Sequence, residues 1–304
     1  MKKRIIITGI TGFIGSELAR SFASDEWEVV GLSRNPASSL FESMDCIKIY
    51  RWDGITSEGW AKYAENAEAI INLAGENIGD GIWTKNRKNR IVNSRLNSII
   101  AIKDAIRNIS SKPKVFIQAS AIGYYGSQNE NILEENSPPG NGFLANICRE
   151  IENSILEIAG LGIRTIVIRS GIVLGKSGFL SKIKPFSNIL PIIYFGDGAN
   201  WISWIHIEDE VSAIKYLSIN QVFSGVFNLV SPNPIIASEF YKEISKALGK
   251  RRLLKIPSFL IRKPGGAFAR ELLLSSQRVI PINLLKAGYS FIYPKLAEGL
   301  RSIF

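Results

Sequence analysis

The first residues whose spacing suits a chemical task are Gly9, Gly12 and Gly15, in the run Thr8-Gly9-Ile10-Thr11-Gly12-Phe13-Ile14-Gly15. A short β-branched run, Arg4–Thr8, leads into it, and Phe13, Ile14, Leu18 and Phe22 follow at helical spacing. A strand that ends in glycines and enters a helix can hold an anion. The first glycine permits a tight turn, the second lets backbone N–H groups approach a pyrophosphate, and the third lets the helix pack on the sheet. The helix N-terminus adds unpaired donors and the positive end of its dipole. Gly9, Thr11, Gly12, Phe13, Ile14 and Gly15 are therefore expected to hold a dinucleotide.

The end of the next strand selects between dinucleotides. It reads Val30-Gly31-Leu32-Ser33-Arg34-Asn35, with no acid where an NAD site has a carboxylate for the ribose hydroxyls. A carboxylate there would repel a 2′-phosphate, whereas a hydroxyl and a guanidinium bind one. Ser33 and Arg34 point to NADP, with NAD less favoured.

These residues need a scaffold, and its rhythm is legible. Glu28–Leu32, Cys46–Tyr50, Ala69–Leu73, Val115–Ala119 and Ile163–Arg169 are short apolar runs, separated by helical stretches around 86–109 and 143–158. Strands alternating with helices, each strand a continuous apolar run, predict an α/β fold with a Rossmann-type, doubly wound parallel sheet. After Gly171 glycine, proline and aromatics crowd into 175–204, a further strand follows at 225–230, and from Ser238 the pattern is mainly helical. The expected organisation is a dinucleotide domain over 1–225 and a smaller α+β domain over 226–304, with 175–200 contributing to the second.

Composition narrows the class. The chain has 304 residues, 46% hydrophobic and 21% charged, which excludes a disordered polymer. No apolar run approaches the ~20 residues of a membrane span, and the start, Met1 to Ile7, is broken by Thr8 and Gly9 before a signal peptide could form. Two distant cysteines, Cys46 and Cys148, and one histidine, His206, offer neither a disulfide framework nor a zinc site. A cytoplasmic protein without a metal is expected. The formal charge of +10 comes from scattered residues except at Lys85–Arg90 and Lys250-Arg251-Arg252. With no basic stripe interleaved with aromatics, nucleic acid is not an expected partner.

The glycine motif resembles that of the extended short-chain dehydrogenases/reductases. The segments Asn72-Leu73-Ala74-Gly75-Glu76-Asn77-Ile78, Trp83 to Arg95, Ser120-Ala121-Ile122-Gly123-Tyr124-Tyr125-Gly126, Arg169 to Gly175, Trp204 to Ile207 and Gln277 to Pro281 are similar to one subfamily. These are epimerase-family proteins of unsettled substrate, some plant and cyanobacterial members being called cell-division inhibitors. The resemblance implies that Leu73, Ala74 and Gly75 line the cofactor ribose, that Arg95 reaches the cofactor, that Val173 stands at the nicotinamide end and that Asp53 approaches the adenine. Lys88 could share a helix face with Arg95. It also implies a small-molecule substrate in the cleft between the domains.

The superfamily's Tyr-x-x-x-Lys pair is missing. There the lysine lowers a tyrosine from its usual value of ~10, so that it exchanges protons near neutrality. Here no tyrosine has a lysine four residues on, and the matching helix carries Leu144 and Cys148. The resemblance places Ser120 where relatives keep a catalytic hydroxyl, and Tyr124 and Tyr125 are the nearby phenols. Each tyrosine is either a proton donor or aromatic packing under a loop. His206 is a further general-base candidate. Two functions follow: an NADP-dependent epimerase/dehydratase-like oxidoreductase acting on a sugar-like or anionic small molecule, or a non-catalytic NADP-responsive regulator with a protein partner. Oligomeric state is left open by the sequence.

Overall fold

The structure is a computed structural model that describes residues 2–36, 39–41, 43–183, 185, 190–250 and 253–304, with residues 39 and 262–264 described as backbone only. Arg251 and Arg252 of the second basic cluster therefore lie outside the described residues. Seven of the apolar runs form one parallel sheet. They are β1 (Arg4–Thr8), β2 (Glu28–Ser33), β3 (Ile47–Arg51), β4 (Ala69–Asn72), β5 (Val115–Ala121), β6 (Arg164–Ser170) and β7 (Gly225–Leu229), in the order β7-β6-β5-β4-β1-β2-β3. Ile6 of β1 lies opposite Val30 of β2 on one side and Ile70 of β4 on the other.

Helices α1 (Phe13–Ala23), α2 (Lys85–Arg107), α3 (Phe143–Ser154) and α4 (Ile207–Ile219) alternate with these strands. Helix α1 turns Leu18, Ala19 and Phe22 inward, and Ile5, Ile6, Ile7, Val29, Val30, Ile70 and Ile71 are wholly buried. A strand covered on both faces gains from an apolar side chain at every position, which is why these runs do not alternate. Strand order reverses between β1 and β4, since the chain first winds outward through β2 and β3 and then returns. In open parallel sheets such a switch point leaves a crevice at the carboxyl ends of the strands. Among the described residues no helix is long and apolar enough to cross a membrane.

The chain divides into two compact units: Met1–Ser120 with Arg149–Ile168 and Val211–Val226, and Ala121–Cys148 with Arg169–Glu210 and Phe227–Phe304. Residues 175–200 fall in the second unit, and so do 121–148 and the rest of 169–210, because the segments that leave β5 and β6 pack with the later residues. Within the second unit, Trp204, Phe240, Ile244, Leu296, Leu300 and Ile303 form a core. Its short parallel pairs join 172–174 to 204–206 and 192–195 to 253–256.

A candidate dinucleotide pocket

The three glycines at the end of β1 answer to different constraints. Gly9 has φ +67°, and a Cβ on it would stand 2.9 Å from the Leu73 carbonyl oxygen. A Cβ on Gly15 would stand 2.3 Å from the Gly9 oxygen, so only glycine lets the helix start so close to the turn. Gly12 is the exposed N-cap of α1, and no side chain caps the helix there. The donors of the first turn are thereby left to an outside acceptor.

Behind this turn lies a buried polar network. The Thr8 hydroxyl donates to Asn72 Oδ1 at 2.5 Å and accepts from the Ala74 N–H at 3.2 Å. Asn72 Nδ2 donates to Ser98 Oγ and to Gln118 Oε1 at 3.0 and 2.8 Å. These bonds tie β1, β4, β5 and α2 together, and so set the position of the Leu73–Gly75 loop.

The turn opens on a pocket of about 470 Å³. Gly9, Thr11 and Gly12 line one part, and Leu32 to Asn35 at the end of β2 another. Trp52 to Ile55, the loop Leu73 to Glu76, and the α2 face Arg90, Ser94 and Asn97 complete it. Ser33 Oγ lies 3.1 Å from Thr11 Oγ1 and receives the Asn35 N–H, which fastens the end of β2 to the glycine turn. Arg34 is exposed in the pocket wall. Asp53 accepts from the N–H groups of Thr56 and Ile55 and from the Thr56 hydroxyl, bonds that hold its carboxyl below the usual carboxylate range. Backbone amides of the glycine turn, the Ser33 hydroxyl and the Arg34 guanidinium thus share one pocket.

Arg95 stands elsewhere than on the pocket wall. Its guanidinium lies against Gly75, where a Cβ would meet Cζ at 2.9 Å, and Nη1 donates to the carbonyls of Glu76 and Ile91. It bonds to the loop at the Glu76 carbonyl, while Arg90, Ser94 and Asn97, one helical face of α2, line the pocket. The spacing i, i+4, i+7 was available in the sequence, but the face that looks inward was not. Lys88 and Val173 are not lining residues either. Val173 sits in the 172–174 strand beside Ile205.

The catalytic candidates separate as well. Tyr125 is wholly buried; its hydroxyl donates to Asn228 Oδ1 at 2.7 Å and accepts from Arg169 Nη1 at 2.8 Å. Burial pushes the phenol up to about 12. Both the proton and a lone pair of the Tyr125 hydroxyl are thus engaged within the chain. Tyr124 is half-buried, with the Arg169 guanidinium 3.4 Å from its ring centre, and its hydroxyl makes no hydrogen bond among the described residues. Ser120 Oγ donates to Glu152 Oε1 of α3 at 2.8 Å, a carboxylate partner that sequence spacing does not signal. Where the missing pair belongs, Leu144 and Cys148 pack under Gly123. His206 is buried, its Nδ1 accepts from the Glu208 N–H, and burial lowers its pKa to about 4, which removes it as a base that titrates near neutrality.

Residues 5–229 match the NAD dependent epimerase/dehydratase family. The chain belongs to that family. Residues 256–303 match a domain of unknown function, DUF1731. An epimerase family protein of Mycobacterium leprae is 32% identical over 98% of this chain and 95% of that one. One of Bacillus subtilis is 33% identical over 98% and 97%. The crystal structure of human epimerase family protein SDR39U1 with NADPH is similar to this chain at a TM-score of 0.85 and 29% identity, covering 99% of this chain and 98% of that one. The family binds a nicotinamide dinucleotide, in keeping with the cradle at Gly9, Gly12 and Gly15.

Proposed function

We propose that this family member binds NADP in preference to NAD and acts as an oxidoreductase of the epimerase/dehydratase kind on a sugar-like or anionic small molecule. The observation that carries the reading is the end of β2. Arg34 is exposed in the pocket wall next to Ser33, which is fastened to Thr11, and no carboxylate stands at 32–35 to repel a 2′-phosphate. The NADPH in the human relative's structure supports the same reading.

The nicotinamide, when bound, supplies hydride exchange at a carbinol or carbonyl carbon. The chain's own residues do the rest. The glycine turn and the N-terminus of α1 hold the pyrophosphate, and Arg34 faces the 2′-phosphate. Tyr124, with its unbonded hydroxyl, holds or moves the proton at the substrate oxygen, with Ser120 and its Glu152 partner as the second hydroxyl near β5. This assignment replaces the absent Tyr-x-x-x-Lys pair. Cys46 and Cys148 form no disulfide, which suits work in a reducing cytoplasm.

Calorimetric titration with NADPH and NADH tests the cofactor reading. A charge-assisted bond of roughly 1.5–3 kcal/mol corresponds to a preference of about 10- to 100-fold for NADPH. Arg34→Ala should remove most of it. Equal affinities in the wild type would sink the reading. Bound NADPH with no hydride transfer to any carbonyl or nucleotide sugar would leave the cofactor-responsive regulator in its place.

A further inference from the structure

Four charged side chains line the pocket: Arg34, Asp53, Glu76 and Arg90. The two carboxylates are already engaged. Asp53 closes its own turn onto Ile55 and Thr56. Glu76 forms an ion pair with Arg87, which also donates to the Asn77 carbonyl. The two cations are not matched in this way. Arg90 approaches the same Glu76 oxygen only through Nε, at 3.5 Å, beyond ordinary hydrogen-bond length. Its side chain is 60% exposed, and its terminal amino groups make no hydrogen bond among the described residues. The pocket thus presents two guanidinium groups to solvent, and Glu76, the carboxylate near Arg90, is shared with Arg87 and meets Arg90 at Nε alone.

We propose that Arg90 is a second cation for the 2′-phosphate, reaching it from the α2 wall of the pocket that Arg34 lines at the end of β2. The inference rests on the NADP reading above and extends it to a residue on a different element. A guanidinium fork binds a phosphate through two parallel hydrogen bonds, and only the outer edge of Arg90 is free to do so. Ser94, one turn on, fixes the neighbouring loop by accepting the Glu76 N–H at 2.9 Å, which keeps Glu76 and its hold on Arg87 in place. Glu76 meets Arg90 at Nε, which leaves the two terminal amino groups of Arg90 for a ligand.

Calorimetric titration of the full chain with 2′,5′-ADP, 5′-AMP, NADPH and NADH tests the role. Arg90→Ala should weaken 2′,5′-ADP and NADPH roughly tenfold while 5′-AMP and NADH are unchanged, and it should flatten the salt dependence of NADPH binding. Because Arg90 is exposed, the variant should fold as the wild type does. If the wild type prefers NADPH, Arg34→Ala removes that preference and Arg90→Ala leaves it untouched, the role of Arg90 is overturned and the NADP reading stands. An equal loss for all four ligands would also overturn it, since Arg90 would then shape the pocket without reading the phosphate. Equal wild-type affinity for NADPH and NADH would overturn the reading beneath it.

Discussion

At the ends of β1, β2 and β4 polar groups are left open: Gly12 heads α1 without a side-chain cap, and Arg34 and Arg90 face the pocket. Around Tyr125 most of them close on one another, Glu135 Oε2 excepted. Arg169 donates to the Tyr125 hydroxyl and to the Glu135 carbonyl, Tyr125 donates to Asn228, and the Asn228 N–H returns to Glu135 Oε1. Both regions are rich in motif residues, and both drew a functional expectation from sequence. The difference is whether the donors and acceptors have partners within the chain. An unsatisfied buried group is costly, so an interior cluster must satisfy itself, whereas a binding site keeps its donors for something from outside.

The contrast can be broken most severely at Tyr124, beside the closed cluster but with an open hydroxyl. Tyr124→Phe should lower turnover by roughly 10²–10⁴, the usual effect of losing a proton-transfer group, with NADPH affinity unchanged. Assays over sugars, nucleotide sugars and simple carbonyls check this; unaltered rates would move the proton to Ser120, to be examined in Ser120→Ala. Gly12→Val should weaken NADPH binding by on the order of 100-fold while the circular dichroism of the fold is kept, because the new side chain occupies the place of the pyrophosphate. Wild-type affinity in that variant would close the open site and end the comparison.

Tyr125→Phe sharpens the other half. It strands Asn228 Oδ1 and one Arg169 donor, so stability to urea should fall by about 1–3 kcal/mol while NADPH binding persists. A variant of unchanged stability but lost binding would reverse the two regions' roles.

The remaining effect is a pH slope at Glu210, read in stability alone. This carboxyl is wholly buried, accepts from Ser170 Oγ at 2.6 Å, and is pushed by burial from 4.5 to about 8. The folded state then holds a proton that the unfolded state has released, so stability falls as pH rises from about 4.5 to about 8 and levels beyond. Thermal melts of Glu210→Gln should lack the part of that decline that is clearest above about pH 7, where His206 is mainly neutral in both states. An identical decline in the variant would assign it to another group.

Residues 4–15 show what was legible in the sequence alone. A β-branched run, three glycines and a 3.6-residue apolar period describe a strand, a turn and a helix, and each of these is determined by near neighbours. The same holds for the alternation that predicts the parallel sheet, since a strand buried on both faces must be apolar throughout. The absence of an acid at 32–35 was likewise a fact of the sequence. What lay beyond it depended on distant partners. Arg90 and Arg95 are similar residues on one helix, yet Arg90 lines the pocket and Arg95 packs against Gly75 and bonds to the Glu76 carbonyl. Tyr124 and Tyr125 are adjacent, yet the first has an open hydroxyl and the second is sealed by Asn228 and Arg169, residues 103 and 44 positions away along the chain. Ser120 meets Glu152 across 32 residues. Local sequence sets the period of an element, but which of its faces looks into a site is decided by the burial of the whole helix or strand against elements far off in the chain.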